Sequence, residues 1–128
     1  MAVYLGSNKV AGNYNSNIVE SGSNSNGNYI KFSDGTMICY GTAIITSPTY
    51  SDWYGFCRLT NTFTINLPIA FKDNNYSLEL TSKTFGYFSS INNGKNVDNF
   101  TFRACTHNQS AYNPGNGNFN YIAIGKWK

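Results

Sequence analysis

Residues Asn28-Tyr-Ile-Lys-Phe-Ser-Asp-Gly-Thr-Met-Ile-Cys-Tyr-Gly-Thr42 spell two short β-runs around Asp34-Gly35. Glycine accepts a positive φ without steric cost and aspartate tolerates it, so this dipeptide predicts a two-residue type I′ hairpin turn. Such a turn pairs Ser33 with Thr36, Phe32 with Met37, Ile30 with Cys39 and Tyr29 with Tyr40. Cross-strand partners share a face. The expected core face is therefore Ile30, Phe32, Met37 and Cys39, with Tyr29, Lys31, Ile38 and Tyr40 on the amphipathic other side.

The same period-two alternation recurs downstream. Phe63, Ile65 and Leu67 alternate with polar residues, as do Tyr76, Leu78 and Leu80, then Phe100, Phe102 and Ala104. Turn-forming Asp73-Asn-Asn75 and Asn92-Asn-Gly94 separate them. No segment carries helical periodicity. Short strands joined by Asn/Gly turns predict an all-β, antiparallel β-sandwich.

The segment Asn120-Tyr-Ile-Ala-Ile-Gly-Lys-Trp-Lys128 is apolar on both faces, with Tyr121, Ala123 and Trp127 on one and Ile122 and Ile124 on the other. Burying each such side chain is worth roughly 1.5–3 kcal/mol. One face is expected to fill the sandwich and the other to meet another subunit; a central strand covered on both sides within one chain is the alternative. Tyr29, Tyr40, Tyr121, Ala123 and Trp127 are the candidate interface residues.

The 128 residues form one domain's worth of chain, with 12% charged and 16% aromatic residues. Low charge with many aromatics argues against disorder. The net charge of +3 is scattered, without the basic stripe that phosphate binding needs, so nucleic acid is not an expected partner. Cys39, Cys57 and Cys105 are an odd set without metal spacing, expected as buried free thiols of a protein made in a reducing cytoplasm. Neither a signal peptide nor a run long enough to span a membrane is readable. A small strand-turn-strand unit is expected within residues 2–12, followed by an Asn/Ser/Gly-rich linker to residue 27 and the globular domain at 28–128.

Resemblance adds a direction. The hairpin at residues 28–41 resembles the hairpin that opens the C-terminal domain of many bacteriophage tail fibres. Leu67-Pro-Ile-Ala-Phe71 is similar to that family's segment after the middle strand, and Tyr121-Ile-Ala-Ile-Gly-Lys-Trp-Lys128 to its terminal strand. The three occur in the family's order. The resemblance implies an H-type lectin-like, trimeric receptor-binding tip, of the kind contractile bacteriocins also carry. It implies attachment to a bacterial surface glycan of the lipopolysaccharide or teichoic acid type, in a virion tail made in the host cytoplasm and acting after lysis. Partners would be two further copies and the rest of the fibre or baseplate, the chain being a fragment or a short accessory fibre. The His-x-His iron repeat of some elongated tips is missing here, so neither metal nor cofactor is expected.

Glycan sites pair an aromatic plate with polar side chains that bond hydroxyls. Two loops offer that mixture: Tyr50, Asp52, Trp53 and Tyr54 on one, and His107, Asn108, Tyr112 and Asn113 on the other. Loops held on a rigid scaffold commonly carry function. A third loop brings Tyr87 and Phe88. The bland reading is that these aromatics pin the loops to the sandwich. Arg103 is expected to pair with Glu79 or Asp98 or to sit at an interface, a phosphate or carboxylate contact being the alternative. Polysaccharide hydrolysis needs two carboxylates at a defined separation; Asp52, Glu79 and Asp98 are the acids left after turns and linker, and no motif unites a pair. The expected function is therefore non-catalytic carbohydrate binding, with a structural trimerisation cap and a polysaccharide-degrading tail enzyme as the alternatives.

Overall fold

The structure is a computed structural model and describes residues 3–5, 8–11, 17–51, 57–107 and 113–128. Every regular element among them is a strand. A short antiparallel pair, β1 (Val3–Leu5) and β2 (Asn8–Ala11), stands where the strand-turn-strand unit is expected. Nine further strands build two sheets: β3 (Ile18–Asn24), β4 (Gly27–Phe32), β5 (Thr36–Ile45), β6 (Arg58–Leu59), β7 (Phe63–Asn66), β8 (Ser77–Ser82), β9 (Ser89–Lys95), β10 (Asn99–Thr106) and β11 (Gly117–Lys126).

The larger sheet runs β3-β4-β5-β11-β8 and is antiparallel throughout. In the smaller one β10 is central. It pairs with β9 on one side and with β7 and then β6, in tandem, on the other. The two sheets pack face to face. Phe100, Phe102 and Ala104 of β10 are fully buried against Met37, Cys39, Ala43, Phe119, Tyr121 and Ala123 of the larger sheet. Phe100 meets Tyr121 edge-on at 5.2 Å and Phe102 meets Phe119 at 5.6 Å, the geometry that aromatic quadrupoles favour.

The hairpin register differs from expectation by one residue. Tyr29 pairs with Cys39, Ile30 with Ile38 and Lys31 with Met37. The turn is wider than two residues: Gly35 N–H donates to Phe32 O at 3.0 Å, and Gly35 adopts φ 95°. Asp34 serves as an acceptor for Thr36 N–H at 2.8 Å rather than as half of a type I′ turn. A one-residue slip exchanges the faces of a strand. Tyr29 and Lys31 therefore share the inner face with Met37 and Cys39, while Ile30 joins Ile38 outside. Lys31 keeps its charge satisfied at the sheet margin, 3.5 Å from Glu20 and over the Trp127 ring at 5.1 Å.

Residues 18–24, expected as linker, form β3 and extend the larger sheet beyond β4. Asn92-Asn-Gly94, expected as a turn, lies inside β9, where the register shifts opposite Thr101 and Phe102. Arg103 donates from Nε to the Thr60 carbonyl at 2.7 Å instead of pairing with Glu79 or Asp98. The three cysteines are buried free thiols.

Candidate functional site

Three connections leave the sandwich at the same end: 46–57 between β5 and β6, 83–88 between β8 and β9, and 107–116 between β10 and β11. These are the three loops whose aromatics the sequence singles out. Tyr50 (first loop), Tyr87 (second) and Gly115 (third) close a ring of hydrogen bonds. Gly115 N–H donates to the Tyr50 oxygen at 2.8 Å, and the Tyr87 hydroxyl donates to Gly115 O at 2.6 Å. A carbonyl can only accept, so Tyr87 commits its proton there. The 2.9 Å contact between the two hydroxyls is then donated by Tyr50. Tyr87 is 3% exposed and packs its ring against Phe119, so the ring of bonds is anchored in the core.

Arg58, which no sequence motif marks, joins the loops a second time. Its Nη1 donates to Asn113 Oδ1 at 3.0 Å, its Nε donates to Ser51 O at 3.3 Å, and the guanidinium stands 5.1 Å from the Tyr50 ring centre. Cation–π placement and amide bonding together hold Asn113 beside Tyr50. Ser47 N–H donates to Asn116 Oδ1 at 2.7 Å, and Asn118 N–H donates to Thr84 Oγ1 at 2.9 Å.

Beside this cluster His107 is exposed and stacks on Phe88 at 5.3 Å and 22°. Phe88 itself is 50% exposed, and Phe85 on the same loop is 91% exposed. Tyr50, Asn113 and His107 of the expected site are thus at one end of the molecule. Asp52, Trp53, Tyr54, Asn108 and Tyr112 lie outside the described residues. Among the described residues no three His, Cys, Asp or Glu side chains gather to hold a metal ion.

The candidate interface residues divide. Tyr121 and Ala123 are inside the chain's own core, because their partners in β5 are Gly41 and Cys39 on the inner face. Trp127 packs against the same core and donates from Nε1 to Phe32 O at 2.8 Å. Tyr29 is half-buried, its hydroxyl bonded to Glu20 at 2.6 Å. Tyr40 remains exposed, on the outer face with Ile122 and Ile124. In register, Tyr40 lies opposite Ile122 and Ile38 opposite Ile124, so these four form one apolar patch.

The fold is shared with parts of two solved pyocin fibres. The chain is similar to the C-terminal part of the R2 pyocin fibre of P. aeruginosa, with a TM-score of 0.57 and 11% identity over 84% of this chain. The R1 pyocin fibre of P. aeruginosa is similar at a TM-score of 0.55 and 12% identity, again over 84% of this chain. The chain spans about a quarter of the length of those fibre chains, 26% and 28% respectively. No protein-family model and no curated protein matches it.

Proposed function

We propose that the chain is the distal domain of a phage or bacteriocin-type tail fibre and binds bacterial surface carbohydrate without catalysis. The observation that carries this reading is the joining of three aromatic-bearing loops at one end, through Tyr50, Tyr87, Gly115 and the Arg58–Asn113 bond. That arrangement fixes Tyr50, Tyr87, Asn113 and Gly115 before a ligand arrives, which spares part of the ordering cost of binding. Amides, hydroxyls and aromatic rings are the groups that recognise a sugar's hydroxyls and apolar ring face. The lipopolysaccharide and teichoic acid classes are the receptors this reading implies, met outside the cell as part of a tail.

The outer-face patch of Ile38, Tyr40, Ile122 and Ile124 supports a second element, assembly as a homotrimer. It also favours the alternative in which the domain only caps and registers a fibre. A glycan array separates the two: the wild-type chain is expected to bind, and the Trp53→Ala/Tyr112→Ala double variant to lose binding while keeping its subunit number. Undiminished binding by that variant, or no binding by the parent chain, overturns the receptor reading.

A further inference from the structure

Strand β9 wears its amphipathicity inside out. Its inward positions are set by register. Ser90 lies opposite Ala104, Asn92 opposite Phe102 and Lys95 opposite Phe100, three residues with no exposed surface. Cross-strand partners share a face, so Ser90, Asn92 and Lys95 lie on the inner face at its open edge, Asn92 exposed and the other two half-buried, where the period-two rule asks for apolar side chains. Ile91, opposite Arg103, looks outward and is 46% exposed. Facing β9 across the open side of the sandwich is β8, an edge strand of the larger sheet, which presents Leu78, Leu80 and Ser82 on its inner face.

The polar strand leaves the sheets unsealed there. A cleft of about 370 Å³ opens between β8 and β9, with Leu78 and Leu80 as its apolar floor and Ser82, Ser90 and Asn92 in its walls. Phe88, half exposed and stacked on His107, stands at the end nearest the three loops. Among the described residues no lysine or arginine lines it, Glu79 is its one charged lining residue, and Lys95 is drawn away to the Tyr76 carbonyl. Breaking a local pattern without a packing gain marks a functional position.

We propose that this side cleft is a second subsite, continuous with the loop end, for an uncharged hydroxyl-rich ligand such as a neutral saccharide unit. The apolar floor and the Phe88 ring suit a sugar's C–H face; the hydroxyls and the Asn92 amide suit its hydroxyls. The Glu79 carboxylate, with no described cation beside it in the lining, selects against phosphate-bearing units, which narrows the receptor class. The inference rests on the carbohydrate-binding reading and extends it down one flank.

The test titrates the full chain with neutral bacterial oligosaccharides, with phosphorylated ones and with an extended serine-rich peptide, following the backbone amides of Ser82, Ser90 and Asn92. Neutral sugars are expected to move them. The Ser90→Val/Asn92→Ile variant restores ordinary strand patterning, so it should fold as well as the parent and bind those sugars about tenfold more weakly, the loss expected for one or two hydrogen bonds. Unchanged affinity in that variant, shifts produced by the peptide alone or by phosphorylated sugars equally, or amides that move with protein concentration instead of ligand, overturns the proposal. If Trp53→Ala/Tyr112→Ala abolishes array binding while the cleft variant keeps it, the cleft inference fails and the receptor reading stands.

Discussion

The hydroxyls of Tyr50 and Tyr87 meet at 2.9 Å, and between them they satisfy both backbone groups of Gly115. Tyr87→Phe removes the donor to the Gly115 carbonyl and the acceptor for Tyr50 while keeping the ring in the core. The expected cost is about 1–2 kcal/mol, read as a lower Tm. Hydrogen exchange should quicken selectively at residues 113–116. Equal protection in both proteins would deny the ring of bonds its role in fixing the loops.

Gly27 and Gly115 both adopt positive φ, 136° and 79°, but their surroundings differ. A methyl group at Gly27 would sit 2.6 Å from Tyr40 O and 2.8 Å from the Tyr121 hydroxyl, whereas at Gly115 nothing lies within 4 Å. Gly115→Ala should therefore cost only the left-handed strain, ~1 kcal/mol. Gly27→Ala adds a clash with immovable backbone and should cost roughly 2–4 kcal/mol. Denaturant midpoints of the two variants check the ranking.

Ile122 and Ile124 are 41% and 44% exposed, whereas Ala123 between them is fully buried. If the proposed trimer forms through this face, Ile122→Lys/Ile124→Lys is expected to convert it into monomers by light scattering while leaving each monomer folded. Each isoleucine withdrawn from an interface forfeits about 1.5–3 kcal/mol. Ala123→Leu, by contrast, overpacks the core and should lower the Tm without a selective effect on subunit number.

Alkali should unfold the protein through its buried neutral acids. Burial pushes the Cys39 thiol up to about 12 and that of Cys105 to about 11, from 9.0. Burial also raises the Tyr76 phenol to about 12 from 10.0, and Tyr121 is shifted in the same direction. These groups stay protonated in the fold but lose protons once unfolded. Their contribution is complete below pH 9 and declines as pH rises from 9 towards 12. Denaturant midpoints across that range should fall steadily, and tyrosinate absorbance should jump on unfolding.

Much of the architecture is readable because most strands obey the period-two rule. The alternations at Phe63, Leu78 and Phe100 and the apolar last strand mark β7, β8, β10 and β11 correctly. β3 is missed because its Ser, Gly and Asn side chains are mostly exposed; backbone pairing with β4, not burial, keeps it in place. β9 is missed because, Ile91 apart, it is polar on both faces and mostly exposed. The hairpin's existence follows from Asp34-Gly35, but that dipeptide serves a three-residue loop as well as a two-residue one, and the difference reverses the faces of β4. At the loop end, the aromatics single out the same three connections that the Tyr50, Tyr87 and Gly115 bonds join. Arg58 escapes because a single arginine gains its meaning only from Asn113, 55 residues away.

Strand β11 lies between β5 and β8, and β8 has no other sheet neighbour. On the ribosome, the stretch carrying Leu78 and Leu80 must therefore wait, unpaired, until some forty more residues have emerged. β3, β4 and β5 can pair in order as they emerge, but β8 joins the larger sheet only when residues 117–126 slot between it and β5. Nascent chains halted short of that point would leave the edges of β5 and β8 unpaired, templates for pairing with other chains.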